Sequence, residues 1–152
     1  MTPVFQTRGG AAFAKITAAG DKVVVRGGNC FQAALASLFG MPLDDVPDFV
    51  NDLWLDDQWF RHVQTWCVDK RRRMILWLGF DASSSLYDLD ALPWKPAGYS
   101  LITGKSKRGH AHVCVALDGK IVHDPWRDPE TGELGDGLVA VDGWYVLLPV
   151  AH

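Results

Sequence analysis

Apolar positions recur with two different periods along this chain, and the change of period divides it. Between Gly27 and Gly40, Phe31, Leu35, Leu38 and Phe39 recur at helical spacing, which predicts a helix with one buried stripe. Ala, Leu and Gln favour helix there, and Gly40 can take the positive φ of a helix end. Asn29 suits the N-cap, and Gln32 can bond back to it as in a capping box. Met41 to Phe49 predicts a second, short helical element, opened by Pro42 and acidic residues and limited by Pro47. From Asp56 to Leu78, the residues Trp59, Val63, Trp66, Cys67, Met74 and Trp77 keep to helical spacing and predict one long amphipathic helix. Asp56 and Asp57 stand at its start, Lys70 to Arg73 toward its end, and Gly79 at its stop, as the helix dipole favours.

Strand signals dominate from Gly98 onward. Gly98 to Thr103 predicts one strand, and Gly109 to Trp126 a β-hairpin about Asp118-Gly119. Leu138 to Val141 and Trp144 to Val150 predict two more strands about Asp142-Gly143. Nearer the start, Lys22 to Arg26 reads as a short strand after the Gly20-Asp21 turn. Ala11 to Ala19 reads as a short helix or a loop, its alanines favouring helix. Phe80 to Pro96 is loop-rich. Helices first and strands second predict an α+β fold, with an antiparallel sheet of about four to six strands packed on the helix that begins at Cys30.

Composition narrows the class. The 152 residues, 48% of them hydrophobic and seven of them Trp, predict a single packed domain spanning residues 1–152, with about 9–26 as an insertion before the Cys30 helix. A net charge of −3 and a pI near 5.9 give no support for a nucleic-acid partner. Three widely spaced cysteines suggest neither a disulfide framework nor a zinc knuckle, and a reducing cytoplasm suits them. No apolar run approaches the ~20 residues of a membrane span, and the N-terminus lacks an export pattern. The expectation is a cytoplasmic monomer with no membrane or nucleic-acid partner.

The chemistry centres on Cys30. A cysteine on the first turn of a helix meets free N–H groups and the positive end of the dipole, which favour a thiolate. Gly27 and Gly28 leave room for a substrate in front of it. The plain alternative is a small buried hydrophobe. A thiol nucleophile needs a base, and the base needs an orienting group. In the hairpin, a three-residue loop Leu117-Asp118-Gly119 with a bulge at Gly119 pairs position 112 with 124, so that His112 opposes Asp124. A two-residue loop would send Asp124 to the other side. His110 shares the face of His112 but opposes Trp126, and His123 points the other way. Cys114 lies one step beyond His112 on the same face, with core packing as its default, as for Cys67. A metal bound by these histidines with Asp124 is an open reading, but no helical His-x-x-x-His or close Cys pair supports it. Neither a metal nor a cofactor is expected.

The phrase Asn-Cys-Phe-Gln-Ala-Ala-Leu-Ala-Ser-Leu-Phe-Gly, followed by a His strand and Asp-Gly-Lys-Ile-Val-His-Asp-Pro, resembles the papain-like cysteine peptidase superfamily. It is nearest to the small bacterial and phage members and is similar to the double-glycine leader peptidases. The resemblance implies a papain-like fold in which Cys30 attacks a carbonyl, His112 is the base and Asp124 orients it. Many members carry an oxyanion-hole Gln just before the Cys; Val23 to Asn29 contains none. Gln6 would take that place if Gly9 to Arg26 loops out, or it is an ordinary residue near the chain end.

The leading expectation is thus a thiol hydrolase, a cysteine peptidase or amidase, acting through an acyl-enzyme on a peptide, protein or other acyl substrate. An acyl or peptidyl transferase on the same fold is one alternative. A catalytically silent binding module, using Trp54, Trp59 and Trp94 as its surface, is the other.

Overall fold

Two short strands before the cysteine helix pair with each other and with nothing else described. The computed structural model describes residues 1–9, 13–25, 27–53, 55–79 and 94–150. Strand β1 (Phe13–Ile16) runs antiparallel to β2 (Lys22–Val25), in register from Phe13 opposite Val25 to Ile16 opposite Lys22. The Ala11–Ala19 stretch is therefore strand and turn where it is described, and not helix. The turn closes with Thr17 N–H bonding Asp21 O at 2.8 Å, and pairing with the β-branched run of β2 outweighs the weak helix preference of alanine.

Helix α1 (Cys30–Phe39) follows. The sequence predicts one buried stripe, but Phe31 and the whole run Ala33 to Ser37 are buried. Small side chains let neighbours close on several sides, as in a core helix. Gly40 ends it at φ 64°, its N–H bonding the Ala36 and Ser37 carbonyls. Within the short element predicted over Met41–Phe49 there is a 3-10 turn at Leu43–Asp45, and helix α2 (Phe49–Leu53) starts only where that prediction ends.

Helix α3 (Trp59–Arg71) ends earlier than its apolar spacing suggests. Arg72 takes a left-handed φ of 54°, and the chain continues as β3 (Arg73–Gly79). Met74 and Trp77, read as helical, are strand residues paired with Leu148 and Tyr145. Pairing along the whole of β3 decides against helix in the run Met-Ile-Leu-Trp-Leu. The Phe80–Pro96 loop prediction lies mostly outside the described residues.

Strands β4 (Tyr99–Lys105), β5 (Ala111–Leu117), β6 (Lys120–His123) and β7 (Ala140–Pro149) complete an antiparallel sheet in the order β3-β7-β4-β5-β6. The two strands predicted about Asp142-Gly143 are one strand. There the register against β4 shifts: Thr103 pairs with Gly143, but Gly104 pairs with Val141. Asp142 is the extra residue of a bulge, and its carboxylate accepts a hydrogen bond from the Thr103 hydroxyl. The fold is thus α+β, with three α-helices and a five-stranded antiparallel sheet among the described residues.

One core layer joins Phe31 and Leu35 of α1 to Phe49, Val63 and Cys67 of α2 and α3, and to Ile75, Leu101, Val113 and Val115 of the sheet. A second joins Ile102, Cys114, Ala116, Val141 and Trp144. No helix among the described residues is long and apolar enough to cross a membrane.

Candidate active site

The β5–β6 hairpin sets the geometry. Its loop has two residues: Leu117 pairs with Lys120, and Asp118 and Gly119 take φ values of 51° and 81°. The three-residue loop expected from the sequence does not form, because Asp118 accepts the left-handed conformation that a tight primed turn needs. A two-residue loop alone would put Asp124 on the wrong face. A bulge corrects it: Ala116 pairs with Ile121 and Val115 with His123, leaving Val122 unpaired. One step further in that register, Asp124 lies across from Cys114, diagonal to His112 and within side-chain reach.

His112 Nε2 and Asp124 Oδ1 are 2.6 Å apart, with only 3% and 5% of the two side chains exposed. An ionised carboxylate only accepts, so Nε2 carries a proton and Nδ1 is the nitrogen that faces other partners. Asp124 Oδ1 also accepts from Trp126 N–H and Oδ2 from Gly137 N–H, each at 2.9 Å. Gly135 lies so close that a side-chain carbon there would collide with the carboxylate, so glycine is required for the approach.

Burial disfavours charge on both members of the pair and is outweighed on both. It pulls His112 down, while hydrogen bonds to Asp124, Cys114 and Cys30 carry the imidazole up to about 11. It pushes Asp124 up, while bonds from His112, Trp126 and Gly137 hold the carboxyl below its usual range. Burial raises the Cys114 thiol, against the pull of His112.

Cys30 is the first residue of α1 and the one cysteine of the three that is not buried. Its thiol acts on the His112 ring, as does that of Cys114, each favouring the protonated imidazole. With Nε2 taken by Asp124, Nδ1 is the nitrogen left for the thiols. The structure therefore brings Cys30, His112 and Asp124 together.

Gln6 lies on the segment that runs between them. Its backbone N–H bonds the Pro125 carbonyl at 2.9 Å, one residue past Asp124. Two residues on, Arg8 N–H bonds the Asn29 side chain beside Cys30. The Gln6 amide donates from Nε2 to Arg8 O at 2.8 Å, and its Oε1 is buried without a hydrogen-bond partner. A cavity of about 350 Å³ opens beside it, lined by Gln6, Arg8, Gly9, Trp126, Arg127 and Pro129.

His123, as expected, belongs elsewhere: it bonds Val4 O at 2.8 Å and meets Phe5 edge-on. His62 is exposed on α3, 3.5 Å from Asp56. The basic loop after β4 is tied down, with Lys107 paired to Asp136 and Arg108 stacked 4.1 Å over Trp126. Trp94 is exposed, Trp59 packs on Phe31 and Phe60, and Trp54 lies outside the described residues.

A polar network behind Cys30 was not legible from the sequence. Asn29 occupies the N-cap position but makes no cap bond. Its Oδ1 instead accepts from Thr7 and Arg8 N–H at 2.9 and 3.0 Å, and its Nδ2 donates to Thr7 Oγ1 and Gln32 Oε1. The capping box does not form, since Gln32 Nε2 donates to the Leu43 and Val46 carbonyls. The first-turn N–H groups of α1 are thus left uncapped by Asn29. Buried Asn51 accepts from Gly27 N–H at 2.8 Å and donates to Gly28 O at 3.1 Å. Asp48 holds Asn51 and pairs with Arg8. Asp48 lies at the end of the predicted Met41–Phe49 element, and its reach to Arg8, forty residues away, leaves no mark in the sequence.

Compared with known proteins, the chain matches no family model, no curated protein and no solved structure.

Proposed function

We propose that this chain is a thiol hydrolase of papain-like type, a cysteine peptidase or amidase, with Cys30 as nucleophile, His112 as base and Asp124 as orienting group. The observation that carries the proposal is the buried His112–Asp124 bond of 2.6 Å, on an imidazole whose charge the Cys30 thiol also favours. In this reading the thiol proton already rests on His112 Nδ1, as the raised imidazole favours, and Cys30 Sγ attacks the acyl carbon of a peptide, protein or other acyl substrate. The Cys30 backbone N–H, on the first turn of α1, stabilises the oxyanion, and the second N–H of Gln6 Nε2 assists. The tetrahedral intermediate collapses to a thioester as His112 returns the proton to the leaving amine. Water, deprotonated by His112, then attacks the thioester, releasing the acid and restoring the thiol. Asp124 keeps the proton on Nε2 throughout.

One observation favours a silent binding module: the Gln6 amide is bonded to Arg8 O, not presented toward Cys30. Alkylation by iodoacetamide, with each modified cysteine located by mass spectrometry, separates the two readings. The hydrolase requires Cys30 to react faster than Cys67 and Cys114 near neutral pH, and His112→Ala to slow it by about a hundredfold or more. Labelling of Cys30 that is slow, or indifferent to His112, overturns the proposal.

A further inference from the structure

The thiol hydrolase reading leaves the substrate open, and the cavity beside Gln6 bears on it. At about 350 Å³ it has room for an amino-acid side chain and the peptide group next to it. Both halves of the candidate site frame it. Of its lining residues, Thr7 and Arg8 bond through their N–H groups to Asn29, the residue before Cys30, and Trp126 gives its N–H to the Asp124 carboxylate. The lining contains two arginines and no carboxylate. Arg8 is paired with Asp48, yet its Nε is buried without a hydrogen-bond partner, as is Gln6 Oε1. Buried polar atoms are seldom left so. Arg127 is exposed, and its guanidinium lies over the Phe5 ring, 4.5 Å from the centroid. Such stacking fixes the plane of the fork and leaves its N–H edge open. Among the described residues no carboxylate pairs with Arg127. That of Asp128, next in sequence, accepts from Glu130 and Thr131 N–H within its own turn. Arg108, 4.1 Å over the Trp126 ring, adds a further cation at this place.

We infer that this cavity is a subsite for a carboxylate of the acyl substrate, held by the Arg127 guanidinium, with Trp126 as the apolar wall for the carbon chain that bears it. A guanidinium fork matches a carboxylate through two parallel N–H bonds, and Arg127 is the cation of the lining that has no acid of its own. The whole chain carries a net charge of −3, so an anionic substrate is drawn here by the local field and not by bulk charge. An acidic side chain and a free chain terminus present the same group to the fork. The subsite rests on the thiol hydrolase reading only for the bond that is cut, because a carboxylate can be held there whether or not Cys30 attacks.

Iodoacetyl probes read the subsite through Cys30 of the full chain. Iodoacetyl-glycine carries a chain-terminal carboxylate, the α-amide of iodoacetyl-glutamate a side-chain one, and iodoacetyl-glycinamide none. Each rate on Cys30 is divided by the rate on mercaptoethanol, which removes the intrinsic reactivity of the probe. An acid probe should outrun the neutral one by about tenfold or more and should saturate. The faster acid names the source of the carboxylate. Arg127→Gln should abolish the preference, and Arg127→Lys should keep part of it, since the charge remains without the fork. Arg73→Gln, in the basic run after α3, should leave the preference unchanged. A second arm needs no chemistry at the sulfur: in Cys30→Ala, ligand-observed NMR should detect binding of acetylglycine or of the acetylglutamate α-amide, lost when Arg127→Gln is added. The inference is overturned if neither acid binds Cys30→Ala in a way that Arg127→Gln abolishes, or if Cys30 labels fast with no preference for either acid. Fast, His112-dependent labelling without that preference spares the hydrolase, and Arg127-dependent binding beside slow labelling does the reverse.

Discussion

Asn51 takes the Gly27 N–H at 2.8 Å, and in doing so fixes the glycine pair that precedes Cys30 from the start of another helix. Its amide also holds the Gly28 carbonyl and both oxygens of Asp48. Replacing Asn51 by Leu keeps the volume but leaves Gly27 N–H and Asp48 short of partners in a buried place. The expected loss is about 1–3 kcal/mol of stability, read by denaturant unfolding. Cys30 alkylation should slow in the folded variant, although Asn51 touches neither the sulfur nor the imidazole. An unchanged alkylation rate would show that the glycine loop holds its place without Asn51.

Asp124→Asn keeps the shape of the orienting group and removes its charge. The amide can present N–H to Nε2 and so stabilise the opposite tautomer, with the proton on Nδ1 where the thiol needs an acceptor. Alkylation of Cys30 should fall by about a hundredfold. The same variant reports on pH. Asp124 is lowered in the folded state, so its contribution is present above the unfolded value near ~3.9 and is lost as pH falls. His112 is raised to about 11, so its contribution is complete below the unfolded value near ~6.5 and drains away as pH rises toward the folded one. The stability gap between wild type and Asp124→Asn should be widest at about pH 4–6.5. A gap that narrows on neither side of that range would mean that the pair is not charged in the fold.

Cys67 gives an alkaline signature from the core beneath α3. It is fully buried between α3 and the sheet, and burial pushes its thiol up to about 12. The folded state holds this proton while the unfolded chain releases it near ~8.5, so stability should fall as pH rises from there toward 12. In Cys67→Ala that component of the slope should vanish, whatever the cavity costs at neutral pH. Thermal unfolding of both proteins at a series of alkaline pH values decides it; parallel curves would mean that the thiol is not shielded.

Deleting Val122 removes the bulge and makes a plain two-residue hairpin with Val115 still opposite His123, so Asp124 stays across from Cys114 and on the face of His112. Strand content by circular dichroism and the rate of Cys30 alkylation should both persist. A rate that falls to the level of His112→Ala would mean that the local twist of the bulge is needed to bring Asp124 to His112.

The sequence carried the local parts of this arrangement and not the long-range ones. Phe31, Leu35 and Gly40 are enough to place α1, and alternation places β4 and β5. The run from Arg73 to Gly79 was assigned to the wrong element because Met74 and Trp77 fit both helical and strand patterns, and only pairing with β7 separates them. Asp142-Gly143 carries a turn signal but forms a bulge, since β4 continues past it. His112 and Asp124 could be paired on paper, yet through a loop that does not exist; a bulge at a β-branched valine leaves no mark in the sequence. Asn29 was read by its preference for helix caps, when its partners lie twenty-one and twenty-two residues earlier.

The first residues of the chain run as a strap across the finished structure: Thr2 and Val4 bond Ser37, Gln6 bonds Pro125, and the Val4 carbonyl is held by His123, 119 positions later. Contacts so far apart in sequence form late and slowly. On the ribosome, Cys30 and its helix emerge long before the histidine strand and the Asp-Pro corner exist. The strap can meet Ser37 early, but its far end has nothing to fasten to until residues 123–125 have left the exit tunnel. The arrangement of Cys30, His112 and Asp124 stays unassembled until the whole stretch between them has been made.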